Sequence, residues 1–366
     1  MRVIIAAAGT GGHINPGIAI ANEIKKNEPN SEIIFIGTNN GIEKDLVPRA
    51  GYELKTLDAY GLQRKVSVQN LKRILKTLKS YKMAKEIVKE FKPDIIIGTG
   101  GYICGPVISA GLKYKIRTIL HESNAFPGVA VKLLSRKVDT VMVGFEDTKN
   151  RLQKAKKIVV TGTPTKVCKM ELSESKKTEL KKNLGIKNNL PIVLAFGGSQ
   201  GAESINKSLL EIINNRLNND YQLVWAVGQN KYEDIKKQIR RSNNLKLLPY
   251  IYNMEEILNL ADVVVARSGA MTITEITRCH KPAIFIPFPY ATENHQEYNA
   301  KVLENVGAAK IILDKNLNSQ ILNKSINEII KNREKMLEMG QKTEKIEIKN
   351  VEKRIYNEIK SLIKEI

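Results

Sequence analysis

The sequence predicts an α/β protein of two Rossmann-like, doubly wound domains facing one another across an interdomain cleft. Three observations carry this. Short β-branched runs alternate with helical patterns along most of the 366 residues, as in a parallel sheet wound by crossover helices. Glycine-rich turns close several of those runs. The halves also share a shape: DIIIGTGGY from Asp94 and DVVVARSGA from Asp262 each read as Asp, three β-branched residues and a glycine turn into a helix.

The chain opens on Arg2 to Gly17, RVIIAAAGTGGHINPG. Val3 to Ala7 form an apolar run suited to a strand buried on both faces. Gly9, Gly11 and Gly12 make the turn, with His13 set in it. Pro16 marks the expected helix start, and Ile18, Ile20, Ala21 and Ile24 give the helix an apolar face. Strand patterns follow at 31–36 and 52–56, then a long basic helix at 67–91. Further strands are expected at 94–97, 117–120, 140–143 and 158–160. A lysine-rich, weakly apolar stretch at 166–189 separates the halves. The pattern restarts with a strand at 192–196, the turn GGSQGA at 197–202 and a helix from about Glu203. Strands at 221–227, 245–248, 262–265 and 283–286 complete the second half. The expected organisation is an N-terminal domain over 1–162, a C-terminal domain over 163–342, and a helix over 343–366 that packs back across the hinge.

Composition narrows the class. Hydrophobic residues make up 42% and charged residues 27% of the chain, ordinary values for a soluble globular protein. No apolar run approaches the roughly 20 residues of a membrane span. The N-terminus enters a strand directly, with Arg2 as its only charge, so no signal peptide is expected. Cys104, Cys168 and Cys279 are too scattered for a disulfide framework or a zinc site and fit a reducing cytoplasm. The net charge of +21 suggests a polyanionic neighbour: nucleic acid, anionic lipid or phosphorylated substrates. A lysine-rich, AT-biased proteome accounts for part of it. With 5% aromatic residues and no readable binding motif, nucleic acid is not expected as a partner.

The glycine turns then carry the chemistry. A strand, a glycine turn and a helix N-terminus present backbone N–H groups and the positive end of a dipole to an anion. GTGGHINPG lacks the dinucleotide spacing, no P-loop motif occurs, and no D-x-D pair occurs for a carboxylate-held metal on a sugar nucleotide. Phosphate must then be met by N–H groups, hydroxyls and a helix dipole. RSGAMTITE, Arg267 to Glu275, offers this, with Thr272 in the first helical turn. Glu275, one turn further in, is placed either to accept from a ribose or to pair with Thr272 in a capping box. PFPYATENHQ, Pro287 to Gln296, has the content of a binding loop or of a rigid turn. His13 is either a cap or a functional imidazole.

GTGGHINPG, GTGGYICGP, HESNAFPG, GGSQGA, RSGAMTITE and PFP…NHQ…NA occur in that order from Arg2 to about Gly307. Together they resemble the MurG-type N-acetylglucosaminyltransferases of bacterial peptidoglycan synthesis. The resemblance implies a glycosyltransferase B fold. It implies transfer of N-acetylglucosamine (GlcNAc) from UDP-GlcNAc to the C4 hydroxyl of undecaprenyl-diphospho-muramoylpentapeptide, lipid I to lipid II. By motif it implies that Thr10, Gly11 and Gly12 line the sugar and acceptor diphosphate side, with His13 as base. Asn124 would contact the GlcNAc, and Ser199 and Gln200 the diphosphate and sugar. Ile251 would hold uracil through its backbone. Ala270, Met271 and Thr272 would meet the diphosphate, Glu275 the ribose and Gln296 the sugar hydroxyls. Three residues depart from the family pattern. Lys166 stands where arginine is common, after Gly162-Thr163-Pro164 in place of a GNP turn, and lacks the planar fork for bidentate phosphate binding. Ser123 replaces a glutamine. Cys104 replaces a small hydroxyl residue and reads as packing.

The resemblance implies an inverting displacement without cofactor or metal, with domain closure limiting hydrolysis. The other classes are a related sugar-nucleotide epimerase or glycolipid glucosyltransferase, separated by dependence on lipid I, and a nucleic-acid binder, tested by gel shift. The acceptor's lipid tail implies peripheral docking at the cytoplasmic face of the cell membrane, beside other cell-wall synthesis proteins. The docking face is expected at Gln63 to Lys92, rich in lysine and arginine and carrying Leu62, Val66, Leu71, Ile74, Leu75 and Leu78.

Overall fold

A computed structural model describes residues 1–58, 68–186, 189–198, 201–240 and 242–364, with side chains described outside 68–77. The chain divides into two compact units, Met1–Thr165 with Ile348–Ile366, and Lys166–Glu347. The sequence reading put these bounds at 162/163 and 342/343.

The first unit alternates strand and helix. β1 (Arg2–Ala7), α1 (Gly11–Asn27), β2 (Glu32–Thr38), α2 (Glu43–Arg49), β3 (Glu53–Leu57) and α3 (Val68–Phe91) come first. β4 (Ile95–Gly100), α4 (Cys104–Lys113), β5 (Arg117–Glu122), α5 (Val129–Leu134), β6 (Thr140–Val143) and β7 (Ile158–Val160) follow. Its strands form one parallel seven-stranded sheet in the order β3-β2-β1-β4-β5-β6-β7. Val3, Ile4, Ile5 and Ile95 to Ile97 are wholly buried, because helices cover both faces of the sheet.

The second unit contains α6 (Glu174–Leu184), β8 (Ile192–Phe196), α7 (Glu203–Asn214), β9 (Gln222–Ala226), α8 (Tyr232–Gln238), β10 (Leu245–Leu248) and α9 (Met254–Leu260). It continues with β11 (Val263–Ala266), α10 (Ala270–Arg278), β12 (Ala283–Phe285), α11 (His295–Asn305), β13 (Ala309–Ile311), α12 (Ser319–Ile330) and α13 (Arg333–Gln341). Its six parallel strands run β10-β9-β8-β11-β12-β13. Trp225 and Tyr221 fill its core; the buried Trp225 indole donates to Asn206 Oδ1 at 3.1 Å.

The chain ends on α14 (Val351–Lys364), which belongs to the first unit. Val351, Ile355, Ile359 and Leu362 repeat at helical spacing and pack with Ile14, Ile18 and Ile24 of α1. Glu28, just past α1, accepts from Tyr356 Oη at 3.0 Å and pairs with Lys360. The Lys360 contact outweighs burial and holds this carboxyl below its ordinary range.

Several expectations need correction. Pro16 lies inside α1 rather than at its start, since the chain enters the helix directly after Thr10. Pro16 forfeits only the N–H that would have reached Gly12. His13 is accordingly in the first helical turn, not in the loop. The polar stretch after Lys166 contains α6, whose signals are its ends. Ser173 accepts from the Lys176 N–H at 3.2 Å, and Gly185 closes the helix at φ 71°. The short edge strand β13 was not expected either.

His121 fastens the end of β5. Its Nε2 lies 3.0 Å from the Gly162 carbonyl and its Nδ1 lies 3.3 Å from Ser123 Oγ. A carbonyl only accepts, so Nε2 carries the proton and Nδ1 accepts from the serine. Full burial pushes this imidazole down to about 4. The unfolded chain takes up a proton near pH 6.5 that the folded unit refuses, so stability is full above that pH and falls toward pH 4. Denaturant titrations from pH 7 to 4.5 should show a loss of about 2 kcal/mol from this group. His121→Gln should lose that part of the slope. An equal slope in both proteins contradicts the assignment.

Candidate active site

Open parallel sheets bind ligands beyond their strands' carboxyl ends, where successive crossovers turn to opposite sides. That point lies between β1 and β4 in the first unit and between β8 and β11 in the second. Each unit therefore has its own set of such loops.

In the first unit, Thr10 caps α1 in an extended conformation, and its side chain makes no cap bond. Its carbonyl accepts the N–H groups of His13 and Ile14 at 3.0 and 3.2 Å. Gly11 and Gly12 stand at the open end of the helix, where N–H groups have no intrahelical partner. His13 Nδ1 lies 2.9 Å from the Ala8 carbonyl. Nδ1 is therefore the protonated nitrogen, and Nε2 keeps its lone pair when the ring is neutral. Thr99 Oγ1 donates to the His13 carbonyl at 2.8 Å. A Cβ on Gly100 would run into the imidazole, so the turn after β4 can pass the ring only as glycine, at φ 133°.

The loop after β5 is organised by Glu122, which is 5% exposed. Its Oε1 accepts from the Asn124 N–H and Nδ2, both at 2.9 Å, and its Oε2 accepts from the Gly128 N–H at 2.8 Å. One carboxylate thus fixes Asn124 by backbone and side chain. Ser123 turns inward to His121. Cys104 is buried and donates toward the Gly100 carbonyl at 3.3 Å; burial pushes its thiol up to about 12. That environment suits packing. Thr163 has a buried hydroxyl with no hydrogen-bond partner among the described residues.

In the second unit, Gly269 is the N-cap of α10, and Ala270, Met271 and Thr272 form its first turn. The capping-box alternative for Glu275 fails on this count. Thr272 is inside the helix, and Glu275 lies in the second turn. Ser268 Oγ donates to the Gln296 carbonyl at 2.7 Å, Asn299 Nδ2 to the Ser268 carbonyl at 3.1 Å, and the Phe288 N–H to Gln296 Oε1 at 3.0 Å. The loop after β12 is thereby tied to the turn before α10. Ile251 is buried between the exposed Tyr250 and Tyr252, whose rings meet edge to face at 5.1 Å. Lys166 is exposed at the first position of this unit. Ser199 and Gln200 lie outside the described residues.

The positioning residues were the ones missed in the sequence. Arg267 donates to the carbonyls of Ile286 and Pro287 at 3.0 and 3.1 Å and to Ser204 Oγ at 3.0 Å, and pairs with Asp314. It sits within the quoted RSGA motif, but its partners are far away in the chain. Glu122 likewise stood unremarked beside Asn124. Among the described residues, no three His, Cys, Asp or Glu side chains gather as a metal centre would need.

Residues 3–143 match the glycosyltransferase family 28 N-terminal domain, and residues 192–355 match the family 28 C-terminal domain. The chain is 43% identical to the UDP-N-acetylglucosamine–N-acetylmuramyl-(pentapeptide) pyrophosphoryl-undecaprenol N-acetylglucosamine transferase of Acetivibrio thermocellus, over 100% of this chain and 99% of that protein. Its fold is similar to the crystal structure of Acinetobacter baumannii MurG, with a TM-score of 0.79, 27% identity, and coverage of 98% and 99% of the two chains. The UDP-GlcNAc 2-epimerase of Neisseria meningitidis, solved with UDP-GlcNAc, shares the fold at a TM-score of 0.67 and 16% identity, over 99% and 100% of the chains. The identity with the transferase spans both units and all six motifs, and so the chain belongs to the MurG-type N-acetylglucosaminyltransferases of glycosyltransferase family 28.

Proposed function

We propose that this protein transfers GlcNAc from UDP-GlcNAc to the C4 hydroxyl of lipid I, forming lipid II in peptidoglycan synthesis. The observation that carries this reading is the full-length 43% identity to a transferase of that name. A histidine at the switch point of the first unit and a helix N-terminus at that of the second are groups such a transfer needs.

The acceptor hydroxyl must lose its proton as the new bond forms at the anomeric carbon. An imidazole suits this as general base, and the Ala8 carbonyl leaves His13 Nε2 as the accepting atom. Thr10, Gly11 and Gly12 line the same turn for the acceptor diphosphate and sugar, and Asn124 contacts the GlcNAc. The departing UDP gains charge on its β-phosphate. The open N–H groups at Ala270, Met271 and Thr272 and the Thr272 hydroxyl stabilise that charge without reorganising. Glu275 accepts from the ribose, Ile251 holds uracil by its backbone, and Gln296 meets the sugar hydroxyls. Ser199 and Gln200 join the diphosphate and sugar contacts, and Lys166 adds a point charge toward phosphate. Attack opposite the leaving group inverts the anomeric centre.

We further propose peripheral docking on the cytoplasmic face of the membrane. Among the described residues, no helix is long and apolar enough to cross it. Half of the docking segment lies outside the described side chains, including Arg64, Lys65, Val66, Leu71, Lys72, Arg73, Ile74 and Leu75, as does the neighbouring Leu62. In its described part, Leu78 is exposed and Lys79, Lys82, Lys85 and Lys89 follow on α3. The same unit exposes Val129 and Leu133 on α5, beside Lys132 and Arg136 in sequence. Apolar side chains among lysines are the composition of an interfacial face.

Radiolabelled UDP-GlcNAc incubated with lipid I should give labelled lipid II, with UDP-glucose and UDP-GalNAc poor donors. Conversion of the label to an epimeric UDP-sugar without lipid I would favour the epimerase class instead. His13→Ala should lower turnover by roughly two to four orders of magnitude, with a much smaller change in UDP-GlcNAc affinity. Turnover within about tenfold of wild type would leave the base elsewhere.

Co-sedimentation with vesicles tests docking. Anionic vesicles should bind the protein in a manner that falls steeply with salt. Changing Arg64, Lys65, Lys72 and Arg73 to glutamine should weaken that binding. Equal binding of both proteins removes this face from the account and leaves the transfer reading standing.

A further inference from the structure

Glu43, the first residue of α2, is wholly buried. A carboxylate is seldom fully buried unless it is paired. This one is answered by neutral donors. Its Oε1 accepts from the Thr38 N–H at 2.9 Å and the Thr38 hydroxyl at 2.6 Å, and its Oε2 accepts from the Gly9 N–H at 3.2 Å. The backbone is shaped to admit it: a Cβ on Gly41 would overlap the carboxylate, and one on Gly37 would press on Glu43 Cγ at 2.7 Å. Burial pushes the carboxyl up, but the bonds from Thr38, its own backbone and Gly9 outweigh this and keep it below its ordinary range. The group is therefore an anion at neutral pH.

The Gly9 N–H belongs to the same peptide unit as the Ala8 carbonyl, and that carbonyl holds His13 Nδ1 at 2.9 Å. An anion on the N–H end of an amide draws electron density toward its oxygen and strengthens that oxygen as an acceptor. We propose that Glu43 is a positioning residue for the transfer reaction, acting through the Ala8–Gly9 peptide to fix His13 as the Nδ1–H tautomer and leave Nε2 free to take the acceptor's proton. The logic is that of a carboxylate orienting a catalytic imidazole, with one peptide group inserted between them. Gly100 and Thr99 hold the ring and its backbone from the other side and supply no charge. The inference rests on His13 as the general base. A simpler role, in which Glu43 merely ties the end of β2 to the first turn, makes a different prediction.

Glu43→Gln keeps the size of the side chain and removes its charge. One amide cannot accept from both Thr38 and Gly9, because its NH2 end must face one of those donors. Two readouts are needed. One is kcat and KM for UDP-GlcNAc in the lipid I assay. The other is the imidazole nitrogen shifts of His13 in ¹⁵N-histidine-labelled protein, assigned by their loss in His13→Ala. The expected result is a fall in kcat of at least about tenfold, KM within about twofold, and a neutral His13 moved from Nδ1–H toward Nε2–H. A fall in kcat with an unchanged tautomer overturns the proposal and leaves Glu43 a structural tie. An unchanged tautomer with unchanged kcat overturns it as well. A changed tautomer with unchanged kcat upholds the relay and removes His13 as base. If Glu43→Gln does not fold, Glu43→Asp serves the same purpose. It retains the charge but is one methylene shorter, so it reaches Thr38 and not Gly9, and the same tautomer change is expected.

Discussion

The structure depends on what happens where a buried parallel strand must turn into a helix. The strand end is covered on both faces, and the first N–H groups of the helix have no partner within it. Only a close, strained turn keeps those groups open to a ligand while the flanking strands stay packed. Glycine makes this possible at two kinds of position. Gly9, Gly100 and Gly101 take positive φ in the first unit, and at Gly100 and Gly101 the missing Cβ lets the backbone pass against His13 and Ala8. Gly198 and Gly201 also take positive φ after β8, and a Cβ on Gly201 would strike the Val227 carbonyl. Each unit thus presents a rigid backbone edge beyond its central strands, and the side chains of the site are hung from that edge.

Charge is handled in the same manner. The buried carboxylates near the site are met by backbone donors rather than by lysine or arginine. Glu43 takes Thr38 and Gly9, and Glu122 takes Asn124 and Gly128. In the second unit a cation does the equivalent work, since Arg267 binds the Ile286 and Pro287 carbonyls and pairs with Asp314. A donor set fixed in this way need not reorganise as a transferred sugar leaves charge on a phosphate. The many surface lysines are a separate matter. They sit in solvent, contribute little to stability, and fit an enzyme whose substrates are a nucleotide diphosphate and a diphospholipid.

Much of this was legible in the sequence because local pattern and local structure agree. β6, β7, β8 and β10 begin and end where their apolar runs do. The motif residues also fall at strand ends, since glycine turns have a strong local signature. What escaped was set by partners distant in the chain. β13 is a three-residue edge strand with too short a pattern to read. α6 is mostly polar, with only Leu180 and Leu184 buried, and its caps are its clearest signal. Pro16 reads as a helix start because proline favours the first turn, yet α1 begins earlier, where Thr10 breaks from the strand. Glu43, Arg267 and Asp314 look like ordinary surface charges until the fold brings their partners to them.

In the proposed reaction, backbone N–H groups and hydroxyls at the start of α10, not a bound cation, carry the charge of the nucleotide diphosphate. The most direct measurement is calorimetry of UDP binding in buffer with magnesium and again with chelator in excess. Charge carried by the helix N-terminus gives the same Kd in both, within about threefold. Affinity that falls by more than about tenfold on chelation contradicts it and assigns that charge to a divalent ion.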